Sequence, residues 1–133
     1  VGITKSVIES INQIFQTPLH SSVAEDIRMA SLEDISAMKL NAIAGNRTRL
    51  KDFIDIAFLS CYLSLAQMIN AYERKYLLRN PVMLIKALLY HGEIDFNEPI
   101  KMVNAKYSWK SIEKRLREME KQPLLIFKKL PVA

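Results

Sequence analysis

Between Ser31 and Leu59 the chain reads SLEDISAMKLNAIAGNRTRLKDFIDIAFL, which sets Lys39, Arg47, Arg49, Lys51, Asp52 and Asp55 inside otherwise apolar helical sequence. Phe53, Ile54, Ile56, Ala57, Phe58 and Leu59 cover nearly every direction around a helix, so that helix has to be buried on most sides. Asp52 and Asp55 then share one crowded face, a turn apart. A buried carboxylate needs a cation or hydrogen-bond donors beside it, and Lys39, Arg47 and Arg49 are the nearest candidates along the chain. The fold must therefore set the acids against basic residues from the preceding segment. Two readings meet that demand, a salt-bridge network joining two helices or a ligand site, and spacing alone leaves both open.

The rest of the chain reads as helix, with capping signals between apolar periodic segments and few β hallmarks. Val7, Ile8, Ile11 and Ile14 predict a first helix over about Lys5 to Phe15, closed by Pro18. A short extended piece near Ile14 to Leu19 or Ile27 to Met29 is compatible with the pattern. Ser31 with Asp34 forms the acidic variant of a capping box and predicts a helix through Met38 to Ala44 that stops at Gly45. Thr48 is the expected cap of the buried helix. Ser64 with Gln67 opens a helix to about Leu78, Asn80 and Pro81 open another that ends near Tyr90, and His91 to Ala105 reads as loop. Ser108 caps a last helix to about Lys121, before Pro123. The expectation is a mainly α fold, a compact bundle of about five to six helices in a single domain over residues 1–133.

Length and composition support that. At 133 residues, half apolar and a quarter charged, the chain can build one core and does not have the composition of a disordered segment. The lone Cys61 excludes an intrachain disulfide and suits a reducing compartment. No apolar run approaches the roughly 20 residues of a membrane span, and no basic leader precedes an apolar segment, so a cytoplasmic location with no membrane partner is expected. His20, His91 and Cys61 lack the ligand spacing of a zinc site. Cys61, read as part of an apolar helix, is expected to be a packed thiol.

Charge is uneven. From Lys101 onward nine Lys or Arg face three Glu, a net of +6, whereas residues 1–100 hold ten basic and eleven acidic groups, a net of −1. The helix WKSIEKRLREMEK could approach a nucleic-acid backbone, but Glu113 with Arg117 and Lys114 with Glu118 are ordinary pairs of a solvated face. Trp109, Ile112, Leu116 and Met119 trace the opposite stripe and are expected in the core.

The run MKLNAI, a short Gly/Asn turn and then RLKDFIDIAFL resembles a characteristic block of the AbiEii/AbiGii abortive-infection nucleotidyltransferase toxins, a Lys-Leu-x-Ala helix followed by Arg-x-Lys/Arg-Asp-x-x-Asp-Leu. The likeness continues more loosely through Ala30 to Glu98 and to the helix around Trp109, and is weakest over residues 1–20. It implies a polymerase-beta-like nucleotidyltransferase lobe followed by a helical lobe, with residues 1–30 connecting the two and 31–133 forming the helical one. It further implies catalytic roles for Lys39, which would contact the nucleotide, and Asp52, with Arg47, Arg49 and Asp55 joining Lys39 in cofactor binding. Mg2+ and a nucleoside triphosphate would be cofactors of a longer parent protein, with RNA and an antitoxin among its partners.

Enzymes of that superfamily hold divalent ions on an Asp-x-Asp pair after a Gly-Ser or Gly-Gly turn. Only Gly2, Gly45 and Gly92 occur here, and the one acidic pair at that spacing, Glu93 and Asp95 in HGEIDFNEP, reads as a polar loop. No metal ligands are therefore expected in this chain. With Val1 in place of an initiator Met, the expectation is a part of a longer protein that is inactive alone. The competing expectation is a non-catalytic helical module that binds a partner protein, such as the antitoxin of a phage-defence system.

Overall fold

The computed structural model describes residues 22–77, 81–100 and 108–132, with side chains from residue 31 onward. Five helices and no strands are present among the described residues: α1 (Ser22–Gly45), α2 (Leu50–Leu59), α3 (Leu65–Tyr76), α4 (Pro81–Leu89) and α5 (Trp109–Lys121). The helix expected over Lys5 to Phe15, the extended piece near Ile14 to Leu19, and Asn80 lie outside the described residues.

Helix α2 is the centre of the molecule. Every residue from Leu50 to Leu59 except Lys51 is buried, as its all-round apolar pattern requires. Helix α1 packs against α2, α3 and α4, while α5 packs against α2 and α4. Phe53, Phe58, Leu40, Ile43, Ile56, Met68 and Leu88 are fully enclosed where these helices meet. Each such side chain contributes about 1.5–3 kcal/mol relative to exposure.

Helix α1 differs from the expectation at its start. It is continuous from Ser22, so Ser31 is an interior residue rather than an N-cap, and Ile27 to Met29 are helical rather than extended. No Gly or Pro interrupts residues 22–44, and interior serine has only a mild cost. Asp34, the supposed partner in the capping box, instead pairs with Lys75 of α3 at 2.8 Å, beside Glu33 with Arg74 at 3.0 Å. Gly45 does end the helix.

Thr48 does not cap α2. The N-cap is Arg49, in extended conformation and without a side-chain cap bond. Asn46 intervenes: its Oδ1 accepts from the Thr48 hydroxyl at 2.7 Å and from the Thr48 N–H at 3.1 Å. Ser64 and Gln67 do form a reciprocal capping box, at 3.1 and 2.9 Å. Helix α3 closes on Leu77, whose φ of 55° is left-handed.

After α5, residues 123–132 run as a strap back over the end of α2. Phe127 N–H donates to Ser60 O, and Ala66 N–H to Pro123 O, both at 2.9 Å. Cys61 lies in the turn after α2 rather than inside a helix and is partly exposed, with its Sγ 3.4 Å from Lys129 O. None of the five helices is long and apolar enough to cross a membrane.

Candidate functional site

The turn 46–49 folds α1 back against α2, and this reversal sets Lys39 over the face of α2 that carries both acids. Lys39 Nζ lies 2.9 Å from Asp55 Oδ2 and 3.6 Å from Asp52 Oδ1. Arg49 Nε stands 3.7 Å from Asp52 Oδ2, one turn away at the helix start. Two acids and two cations form one balanced cluster, but the burial is unequal. The Asp52 and Asp55 side chains are 2% and 0% exposed, Lys39 is 17% exposed, and Arg49 is 56% exposed. The carboxylates form the floor and the cations reach towards the surface.

That inequality has an electrostatic consequence. Burial raises the Asp55 pKa from 3.8 to about 6, outweighing the attraction and hydrogen bond of Lys39, which lower it, with Asp52 adding a smaller repulsion. Desolvation beating pairing is the usual outcome when charges leave water without a full shell of donors. Asp52 is incompletely hydrogen-bonded. Its Oδ2 is buried and accepts no hydrogen bond from the described residues, so the Arg49 contact is electrostatic only. A buried acceptor in that state binds a donor strongly when one arrives.

The expected site residues are thus only partly assembled. Lys39, Asp52, Asp55 and Arg49 come together, whereas Arg47 turns to Glu93, its Nε 3.6 Å from Glu93 Oε2. The pair Glu93 and Asp95 lies on an exposed loop, where Asp95 Oδ1 accepts from Asn97 N–H at 3.0 Å. The loop is tied to the turn before α2 by Asp95 N–H donating to Thr48 O at 2.9 Å. No group of three or more His, Cys, Asp or Glu suited to a metal ion occurs among the described residues. Asp52 and Asp55 do not fit magnesium either. Mg2+ keeps several waters in an octahedral shell, and these two carboxylates are buried and already faced by two cations.

A family model for the nucleotidyl transferase AbiEii toxin of type IV toxin–antitoxin systems matches residues 4–124, most of the chain. The chain belongs to this family. No match was found among curated proteins or among solved structures. Membership in the AbiEii family makes this a toxin-related nucleotidyltransferase chain, and the matched stretch includes Lys39, Asp52 and Asp55 alike.

Sequence reasoning missed His91. Its largely buried ring stands edge-on to Phe53 at 5.5 Å and to Trp109 at 4.9 Å between centroids. Nδ1 lies 3.1 Å from Glu113 Oε2 and Nε2 2.9 Å from Leu88 O. The hydrogen bond from His91 holds the Glu113 carboxyl below its ordinary range. His91 thereby anchors the loop carrying Glu93 to α5. The only sequence signal was a histidine just after an apolar helix, beside a glycine.

Proposed function

We propose that this chain serves as the helical lobe of an AbiEii-type nucleotidyltransferase and supplies the cationic half of a triphosphate site, with magnesium held by carboxylates of a separate lobe. The observation that carries the reading is the Lys39 ammonium, oriented by two buried acids and still partly exposed. A compact cation held in this way is prepared for phosphate before the ligand arrives, so little ordering remains to be done on binding. Arg49, more exposed and on the same cluster, adds a second positive charge at the rim. Asp55 acts through Lys39 as a positioning residue. Asp52, with its unsatisfied buried oxygen, is suited to accept a hydrogen bond or a proton from an acceptor hydroxyl.

When bound, the metal would neutralise phosphate charge and hold the reacting oxygens in line. No residue described in this chain fits that task, so the chain by itself is proposed to bind triphosphate weakly and to transfer no nucleotide. Type IV toxin–antitoxin membership supports an antitoxin as a possible partner. RNA as the acceptor rests on the same family reading.

The deciding experiment incubates the 133-residue chain, and the longer protein that contains it, with labelled triphosphates, magnesium and bulk RNA. Label on RNA from the longer protein, lost in its Lys39→Ala variant and missing from the short chain, is the expected result. Transfer by the short chain alone would show that the site lies elsewhere. An inactive longer protein that nonetheless captures its antitoxin would establish the alternative, a helical interaction module that keeps Lys39 and Asp52 only as a core network.

A further inference from the structure

Arg115 is a buried cation that the family reading does not use. It sits on α5 at 7% exposure, amid residues that look in sequence like a solvated charged face. Its Nη1 donates to Ser60 Oγ at 2.9 Å, its Nη2 donates to Lys129 O, and the guanidinium lies over the Phe127 ring, 4.3 Å from the centroid. These contacts fasten the strap to the end of α2. None of them carries negative charge. No carboxylate of the described residues is within ion-pair distance of Arg115, and its buried Nε has no hydrogen-bond partner among them. A buried ionic group without a counter-charge is costly.

Arg115 forms part of the wall of a cleft of about 380 Å³ between α5 and the strap. Exposed Lys114, Lys128 and Lys129 line the same cleft, against a single carboxylate, Glu118. Four cations and one anion leave a net of +3. Opposing charge brought into the cleft would be felt by Arg115 through dry protein, where attraction is weakly screened. The donors exposed for direct contact are lysine ammoniums, because Arg115 is buried and turns its Nη groups to Ser60, Cys61 and Lys129 O. Bidentate arginine forks favour carboxylates, whereas ammoniums converging as point charges suit a phosphate.

We infer that the cleft between α5 and the strap binds a phosphate group, at a place separate from the Lys39 cluster, with Lys114, Lys128 and Lys129 as contacts and Arg115 as the fixed charge behind them. The phosphate is that of a free anion or of a nucleic-acid backbone, which share this chemistry. The inference is independent of the nucleotidyltransferase reading, since no residue of the cleft belongs to that site.

The test is NMR on the 15N-labelled 133-residue chain, following the Arg115 Nε–H and the amides of residues 128 and 129. Sodium phosphate is titrated at constant ionic strength set with sodium chloride, and in a second arm a short single-stranded RNA replaces it. Saturable shifts at these signals are expected, weakened about tenfold or more in the Lys128→Gln, Lys129→Gln double variant, the scale of losing charged hydrogen bonds. Both substituted residues are exposed, so the fold is retained. Saturation by phosphate alone assigns a free anion, and tighter saturation by RNA at the same signals assigns a strand. Shifts that match sodium chloride, that are centred on Lys39, or that persist in the double variant overturn the inference. So does an equal loss from Lys110→Gln with Lys121→Gln, which removes the same charge outside the cleft.

Discussion

Asp55→Asn tests the electrostatics of the site most directly. The folded chain holds the Asp55 proton up to about pH 6, while the unfolded chain releases it near the ordinary value of 3.8. Between those values the folded state binds more protons, so stability falls as pH rises and the loss is complete above about pH 6. Each pH unit is worth about 1.4 kcal/mol, so the ionised group costs about 3 kcal/mol at pH 8 relative to its protonated form. Asparagine keeps the shape, can turn its amide oxygen towards Lys39, and cannot ionise. The variant should match the parent chain near pH 4 and exceed it by about 3 kcal/mol at pH 8, or about 10 °C in Tm for a chain of this size. Urea denaturation at pH 4, 5, 6, 7 and 8 measures the difference, and subtraction removes the contribution of every other titrating group. A difference that stays flat with pH, or an Asn variant that is less stable at pH 8, would refute the claim that desolvation outweighs the Lys39 pairing.

Lys39→Met should cost about 3–5 kcal/mol at pH 8, because it leaves two buried carboxylates facing each other without their nearer cation; the cost should shrink towards pH 5, as read by chemical denaturation. Leu77→Gly should stabilise by about 1 kcal/mol, since Leu77 is 85% exposed and holds a left-handed φ of 55° that glycine adopts without strain. Under the proposed function, triphosphate that draws Lys39 away from Asp55 should raise the Asp55 pKa further. Calorimetry in two buffers of different ionisation enthalpy should then show proton uptake that disappears in Asp55→Asn.

How much of this could be read in the sequence depends on how far apart the deciding residues are. The burial of α2 was legible because its own ten residues force it, and so was the demand for a cation beside Asp52 and Asp55. Lys39 was within reach since only a short turn separates α1 from α2. Ser64 with Gln67, Pro81, and the span of α5 were legible for the same reason, being local signals. Ser31 with Asp34 has the local form of a cap too. Its outcome was decided by Lys75 on α3, which takes Asp34, and by the lack of any breaker upstream. Arg47 was drawn away by Glu93, some 46 residues later in the chain. The N-cap falls one residue later than expected, on Arg49, and Thr48 instead donates its hydroxyl and N–H to Asn46 Oδ1. Arg115 was hidden altogether, because its burial comes from a strap that crosses α5 and cannot be inferred from the helix alone.

The energetics of the cluster also bear on which of the two sequence readings is favoured. A network kept only to join α1 and α2 should stabilise them, yet Asp55 ionises at a net cost because burial exceeds what Lys39 returns. Apolar side chains of similar volume would hold the same helices together at least as well, and the other buried positions of α2 are all apolar. Asp52 adds to the imbalance with a buried oxygen that no described donor reaches. Both shortfalls occur beneath Lys39, where the cluster approaches the surface. In the proposed site, phosphate oxygens of the ligand would meet Lys39 and Arg49 where they reach the surface, and a hydroxyl would fill the Asp52 oxygen that no described donor reaches. The same features that make the cluster a poor structural joint therefore support the proposed role as half of a binding site.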